Sequence, residues 1–206
     1  MKLTAKKIAL IAILTAIALI IFIIEAQIPL PIPIPGVKLG LANVVTLFAL
    51  FYNSPNKPVK PINPANHGKP INPANHGKPI NPVKPNKTQT LTTGNAFTIL
   101  LCRITLGAVF TGRLVAFAYS LTGGLFGFTA QVIIKKFIST KQIWVCGAIG
   151  AIFHNIGQIL AAIIITGTPA LVAYLPILMI TGIITGVLTG LITQITLQRL
   201  SFGRQE

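Results

Sequence analysis

Arg103 lies near the middle of an apolar run, residues 96–111, and its guanidinium stays protonated at any physiological pH. Such a charge needs an acid, water or an anionic ligand. The chain offers two acids, Glu25 and Glu206, and no aspartate. Arg103 can therefore form a structural pair with Glu25 or bind an anion, and the residue types alone leave both open. A second cluster lies in the run 143–166, where Phe153-His154-Asn155-Ile156-Gly157-Gln158 sets His154 and Gln158 four residues apart on one helical face. Such side chains can tie helices together at about 1 kcal/mol each or line a substrate pocket. Because donors and acceptors gather in one turn, while neighbouring turns carry only Thr and Gly, the pocket is favoured. Lys38 and Asn43 open another apolar run at one end, near the mouth of that pocket.

The shortage of acids excludes several chemistries. Magnesium-dependent nucleotide or diphosphate reactions draw on carboxylates to hold the metal, and glycosidases need a carboxylate pair. No GxxxxGK[ST] phosphate loop is present, since Gly68-Lys69 and Gly77-Lys78 are each followed by proline. Cys102 and Cys146 lie in apolar runs without ligand spacing, so neither a disulfide framework nor a metal site is expected. No cofactor is expected either.

The elements that must position these residues are membrane spans. The 206 residues are 52% hydrophobic and 9% charged, against about 25% charged in ordinary soluble domains. Six apolar segments are expected, at about 4–24, 37–52, 96–111, 114–134, 143–166 and 171–197. Four are long enough to cross a hydrocarbon core; the second and third depend on tilt or on lining an enclosed space. The first is too long for a signal peptide and leads, without a small-residue cleavage site, into Ile28-Pro-Leu-Pro-Ile-Pro-Ile-Pro-Gly36. Alternate prolines favour an extended conformation there, with apolar residues between them suited to lying in the membrane interface or to covering a cavity.

Residues 53–95 are of another kind. They contain nine prolines, six lysines and a tandem nonapeptide, Asn63 to Ile71 repeated as Asn72 to Ile80. With almost no large apolar side chains this stretch is expected to be a disordered cytoplasmic linker joining two parts of a single membrane domain. His67 and His76 recur with the repeat, and duplication explains their spacing without a ligand role.

Fourteen of the seventeen basic residues fall on one side if both termini are cytoplasmic, and only Lys38 and Arg113 on the other. The positive-inside rule selects that orientation, so the net charge of +15 reads as a topology and anionic-lipid signal and not as a nucleic-acid footprint. Ala5, Ala9, Ala12 and Ala16 form one helical stripe on the first span, and Gly182, Gly186 and Gly190 repeat every fourth residue in the last; both suit close helix approach. Tyr174, after the turn Thr166-Gly-Thr-Pro169, is expected to be an interface anchor.

Taken together, Pro35-Gly-Val-Lys38-Leu-Gly40-Leu-Ala-Asn43-Val-Val-Thr-Leu47, the intramembrane Arg103, Phe153 to Gln158, and Tyr174-Leu175-Pro176 resemble the bacterial membrane family called Gx transporters. Many of its members carry the name heptaprenyl diphosphate synthase component I. The resemblance covers nearly all of the chain except 53–95, where the family has a short loop. That family is similar to the S components of energy-coupling factor transporters, which implies an all-α six-helix membrane bundle in the bacterial cytoplasmic membrane. It also implies binding of a small solute from outside, and docking of a transmembrane coupling subunit with ATPases through an alanine stripe, here Ala5, Ala9, Ala12 and Ala16. The expected site is Lys38, Asn43, Arg103, His154, Asn155 and Gln158 converging on a cavity between the second, third and fifth spans. The runner-up is a noncatalytic membrane component of heptaprenyl diphosphate synthesis: prenyl synthases use aspartate-rich motifs, so this chain is not expected to be an enzyme. A third reading is a stand-alone solute carrier.

Overall fold

A computed structural model describes residues 4–28, 38–52 and 91–202. They form six α-helices, α1 (Ala5–Glu25), α2 (Asn43–Phe51), α3 (Thr93–Thr111), α4 (Leu114–Ile134), α5 (Ile143–Thr166) and α6 (Leu175–Phe202). Short 3₁₀ turns, Thr140–Gln142 and Pro169–Tyr174, precede α5 and α6. No strand occurs among the described residues. Most of the repeat region and of the Pro-rich run, with His67 and His76, lies outside the described residues.

Five helices, all but α2, are long and apolar enough to cross a membrane. The second expected span, 37–52, is corrected: α2 has nine residues, about 14 Å of helix against a hydrocarbon core of about 30 Å, so it lines the bundle interior and does not cross by itself. Its expected start at 37 moves to Asn43 because Gly40 takes φ +83°, which ends regular helix on its N-terminal side. The third span starts earlier than the expected 96. Thr92 caps it, its backbone N–H donating to Asn95 Oδ1 at 2.9 Å, so Thr93–Asn95 belong to the helix and not to the linker. The bounds of α4 and α5 fall where the hydropathy placed them. The last helix begins at Leu175, not at 171, because residues 169–174 wind as a 3₁₀ turn after Pro169.

Glycines set the spacing of the last three helices. A Cβ on Gly186 would lie 2.6 Å from the Gly147 carbonyl, and one on Gly127 would lie 2.8 Å from the Gly150 carbonyl. The α4/α5 and α5/α6 pairs therefore approach backbone to backbone, the geometry small residues permit in membranes. Both pairs are antiparallel, since Gly123 meets His154 while Gly127 meets Gly150, and Gly182 meets Asn155 while Gly190 meets Trp144. α1 and α3 run in the same direction: Phe22 packs on Gly107, near the carboxyl end of each. Contacts from Glu25 to Lys135 lead from the carboxyl end of α1, through Gly40 and the length of α2, to the carboxyl end of α4, which is antiparallel to α3 through the Phe97/Phe128 and Gly124/Ile104 contacts. The amino end of α1 and the carboxyl end of α6 thus lie at the same face of the bundle.

The principal core joins α1, α2, α3, α4 and α5 through Leu14, Ala18, Leu47, Ile99, Leu100, Ile104, Phe128 and Ile143. A smaller cluster of Tyr119, Ile159, Ala162 and Leu178 closes the end near Tyr174, which is half-buried against it. Large apolar side chains on the outer faces, among them Ile20, Phe110, Ile164 and Ile184, are exposed, as a lipid-facing surface requires.

Candidate functional site

The short helix α2 owes its place to two charged side chains. At its amino end the Glu25 carboxylate, from the last residue of α1, accepts the backbone N–H of Gly40 through Oε1 and that of Ala42 through Oε2 at 3.4 Å. At its carboxyl end Lys135 Nζ donates to the Leu50 carbonyl and faces the Phe51 ring. Negative charge at a helix N-terminus and positive charge at its C-terminus both oppose the backbone dipole. Nine residues would not hold a helix alone; these contacts and burial of Val45, Leu47, Ala49, Leu50 and Phe51 do.

Because Glu25 is engaged with backbone, Arg103 finds another partner. Its NH2 nitrogen donates to Asn43 Oδ1 at 3.0 Å, while its Nε is buried without any partner. Arg103 is the eleventh of nineteen residues in α3 and only 3% exposed. Lys38, in the segment before α2 and outside the five long helices, lays its ammonium 3.1 Å from the centroid of the Phe22 ring, a cation–π contact. Burial pulls the Lys38 pKa down to about 8; Glu25 raises it, while Arg103 and Arg113 lower it.

These groups surround a narrow cavity with room for no more than one water, walled by Phe22, Glu25, Lys38, Gly40, Asn43, Arg103, Ser120, His154 and Gln158; a larger solute enters only if the walls part. The structure thus brings together Lys38, Asn43, Arg103, His154 and Gln158. Asn155 lies elsewhere. Its Nδ2 donates to the Leu178 carbonyl of α6, and a Cβ on Gly182 would collide with it, so it ties α5 to α6 and does not line the cavity. Ser120, from α4, and Glu25 complete the wall, so five elements build it and not the three expected.

Four buried polar atoms around this cavity have no partner: Arg103 Nε, His154 Nδ1 and both side-chain polar atoms of Gln158. An unpaired buried polar atom costs roughly 1–3 kcal/mol, and native interiors hold few of them. Four around one space amount to a penalty that is relieved when the walls part and admit hydrogen-bonding groups. Guanidinium, ammonium, amide, imidazole and hydroxyl together suit an oxyanion carrying hydrogen-bond acceptors. Among the described residues, no group of three or more His, Cys, Asp or Glu could hold a metal.

A second crevice, too tight for a water and free of charged groups, lies beyond Gly40 and Asn43 and is lined also by Gln131, Thr185 and Thr189. The stripe Ala5, Ala9, Ala12 and Ala16 lies on the exposed side of α1, flanked by exposed Ile8, Ile13 and Ile20. It faces away from the bundle.

A family model described as heptaprenyl diphosphate synthase component I matches residues 14–60 and 86–196. The interval between them, 61–85, contains the tandem repeats. No curated protein and no solved structure matches the chain.

Proposed function

The chain belongs to the heptaprenyl diphosphate synthase component I family, and from that membership together with its cavity we propose that it is a membrane-embedded binding subunit for uptake of a small anionic solute. One observation carries this reading: two buried cations and four unpartnered buried polar atoms surround a single cavity. In a membrane protein, intramembrane charge of this kind marks a substrate pathway. We place both termini in the cytoplasm. Lys6, Lys7, Lys135, Lys136, Lys141 and Arg199 all lie toward the face holding the amino end of α1, whereas Arg113 lies at the opposite end; the positive-inside rule supports that orientation. The exposed alanine face of α1 is the proposed docking surface for a coupling subunit with ATPases, because small side chains let another helix approach closely.

The test is direct. Purified wild-type protein, titrated with a panel of small carboxylates and oxyanions, should be thermally stabilised by at least one of them. Arg103→Met should lose that stabilisation while keeping its helical content. Unchanged binding by Arg103→Met would remove the cavity from the function.

A second reading follows from the family description, in which "component I" implies a further synthase component. There the chain would anchor or assist a prenyl synthase without catalysing the reaction, since it lacks the aspartates that hold magnesium and diphosphate. Co-purification with a prenyl synthase chain, with no solute retained, would favour that reading.

A further inference from the structure

The walls of the cavity carry three formal charges, Lys38 and Arg103 positive and Glu25 negative, and all three side chains are buried. The walls therefore carry one net positive charge. Charge removed from water costs roughly as its square, so the favoured occupant is the one that brings the sum to zero. A monoanion does so, a dianion leaves one negative charge, and a diphosphate leaves more. From this balance we infer that Glu25 sets the valence of the bound anion: the site takes a small singly charged oxyanion of the carboxylate class and discriminates against dianions and diphosphates.

The inference rests on the cavity being the anion site proposed above, and it makes Glu25 a specificity-determining residue. Its geometry suits that role. Both carboxylate oxygens are held by the N–H groups of Gly40 and Ala42, so the negative charge stays in the wall and does not swing across to Arg103. Arg103 Nε is left buried without a partner. Apart from Glu206 at the end of the chain, the sequence contains no other acid that could replace it.

Methanesulfonate and sulfate separate charge from shape, since both are tetrahedral and of similar size but carry one and two negative charges. Their affinities for the purified full-length chain, measured by calorimetric titration at pH 7, should favour methanesulfonate by about tenfold or more. Glu25→Gln keeps an acceptor oxygen for the α2 amino end but raises the net charge by one, so the ratio should turn toward sulfate. Lys38→Gln lowers the net charge by one, so both anions should weaken, sulfate more, and the ratio should widen. Preference of the wild type for sulfate, or a ratio that moves in neither variant, overturns the role of Glu25. Should Glu25→Gln fail to fold, the ratio in Lys38→Gln decides alone. A wild type that binds neither anion, or binds both as Arg103→Met does, fails at the earlier step, the anion site itself.

Discussion

Arg103 shows how far a single residue type can be interpreted without coordinates. A permanent charge in an apolar run must have a partner, and that much is legible from composition; the identity of the partner is not. Glu25 was the only acid within reach in the sequence, yet its carboxylate holds the N–H groups of Gly40 and Ala42. That use depends on how residues 38–42 fold back against α1, which no spacing rule encodes. Asn155 teaches the converse. His154 and Gln158, four residues apart, share a helical face; Asn155 is displaced by about 100° from His154 and about 60° from Gln158, and the structure turns it toward Leu178. Spacing alone does not separate Asn155 from Gln158, three residues on; the close approach of α6 at Gly182 does. Asn155→Leu should therefore lower thermal stability by roughly 1–3 kcal/mol and leave the affinity for the stabilising anion unchanged, a split that unfolding and titration on the same sample would resolve. Lys38 supplies a pH signature. With a pKa near 8 its ammonium is charged below that value, so anion affinity should be full near pH 7 and fall as the pH rises through 8 and above. Glu25, Arg103 and Arg113 act on it and His154 faces the same space. Lys38→Arg, which stays charged, should flatten the profile between pH 7 and 9; an identical fall in both proteins would assign the titration to another group.

Among the elements, α4 and α5 were legible to the residue because long apolar runs end at clear signals. Gly112 and Gly167 adopt positive φ just after α3 and α5, where a helix most readily terminates. The second segment was not legible in this way. Its hydropathy runs from 37 to 52, but Gly40 breaks it and leaves a nine-residue helix capped by Glu25 and Lys135. Ser120 was missed for a related reason. It shares a face with Gly123, Gly124, Gly127 and Gln131 on α4, a small and polar stripe at helical spacing that could have signalled a wall toward α5. Gly40 carries the strongest prediction at this scale. Its φ of +83° is strained for any side chain, and a Cβ there would lie 2.9 Å from Asn43 Nδ2 and 3.3 Å from His154 Cδ2. Gly40→Ala should displace the partner of Arg103 and weaken anion binding about tenfold or more, with a stability loss of roughly 1–3 kcal/mol. Retention of wild-type affinity by that variant would show that the segment 38–42 does not shape the cavity.

At the scale of the whole molecule, a helical membrane bundle was legible from composition, and the parallel course of α1 and α3 was not, because it is fixed by tertiary contacts such as Phe22 on Gly107. That packing buries Leu14, Ala18, Phe22 and Glu25 and leaves the opposite side of α1 outward. The outward side carries Ala5, Ala9, Ala12 and Ala16, and its small side chains contribute nothing to the core. Hydrophobic burial does not favour helix association in lipid, since tails are as apolar as leucine, so any affinity of this face must come from close van der Waals approach. Large side chains there cost the isolated subunit little and deny a partner helix its close contact. Ala9→Trp with Ala12→Trp should accordingly leave the unfolding temperature and anion affinity of the purified chain near wild type, yet abolish its co-purification with a coupling subunit from membranes and, with it, solute uptake. A double variant that unfolds would put the stripe inside an interface of this chain, and one that still transports at the wild-type rate would leave α1 without a docking role.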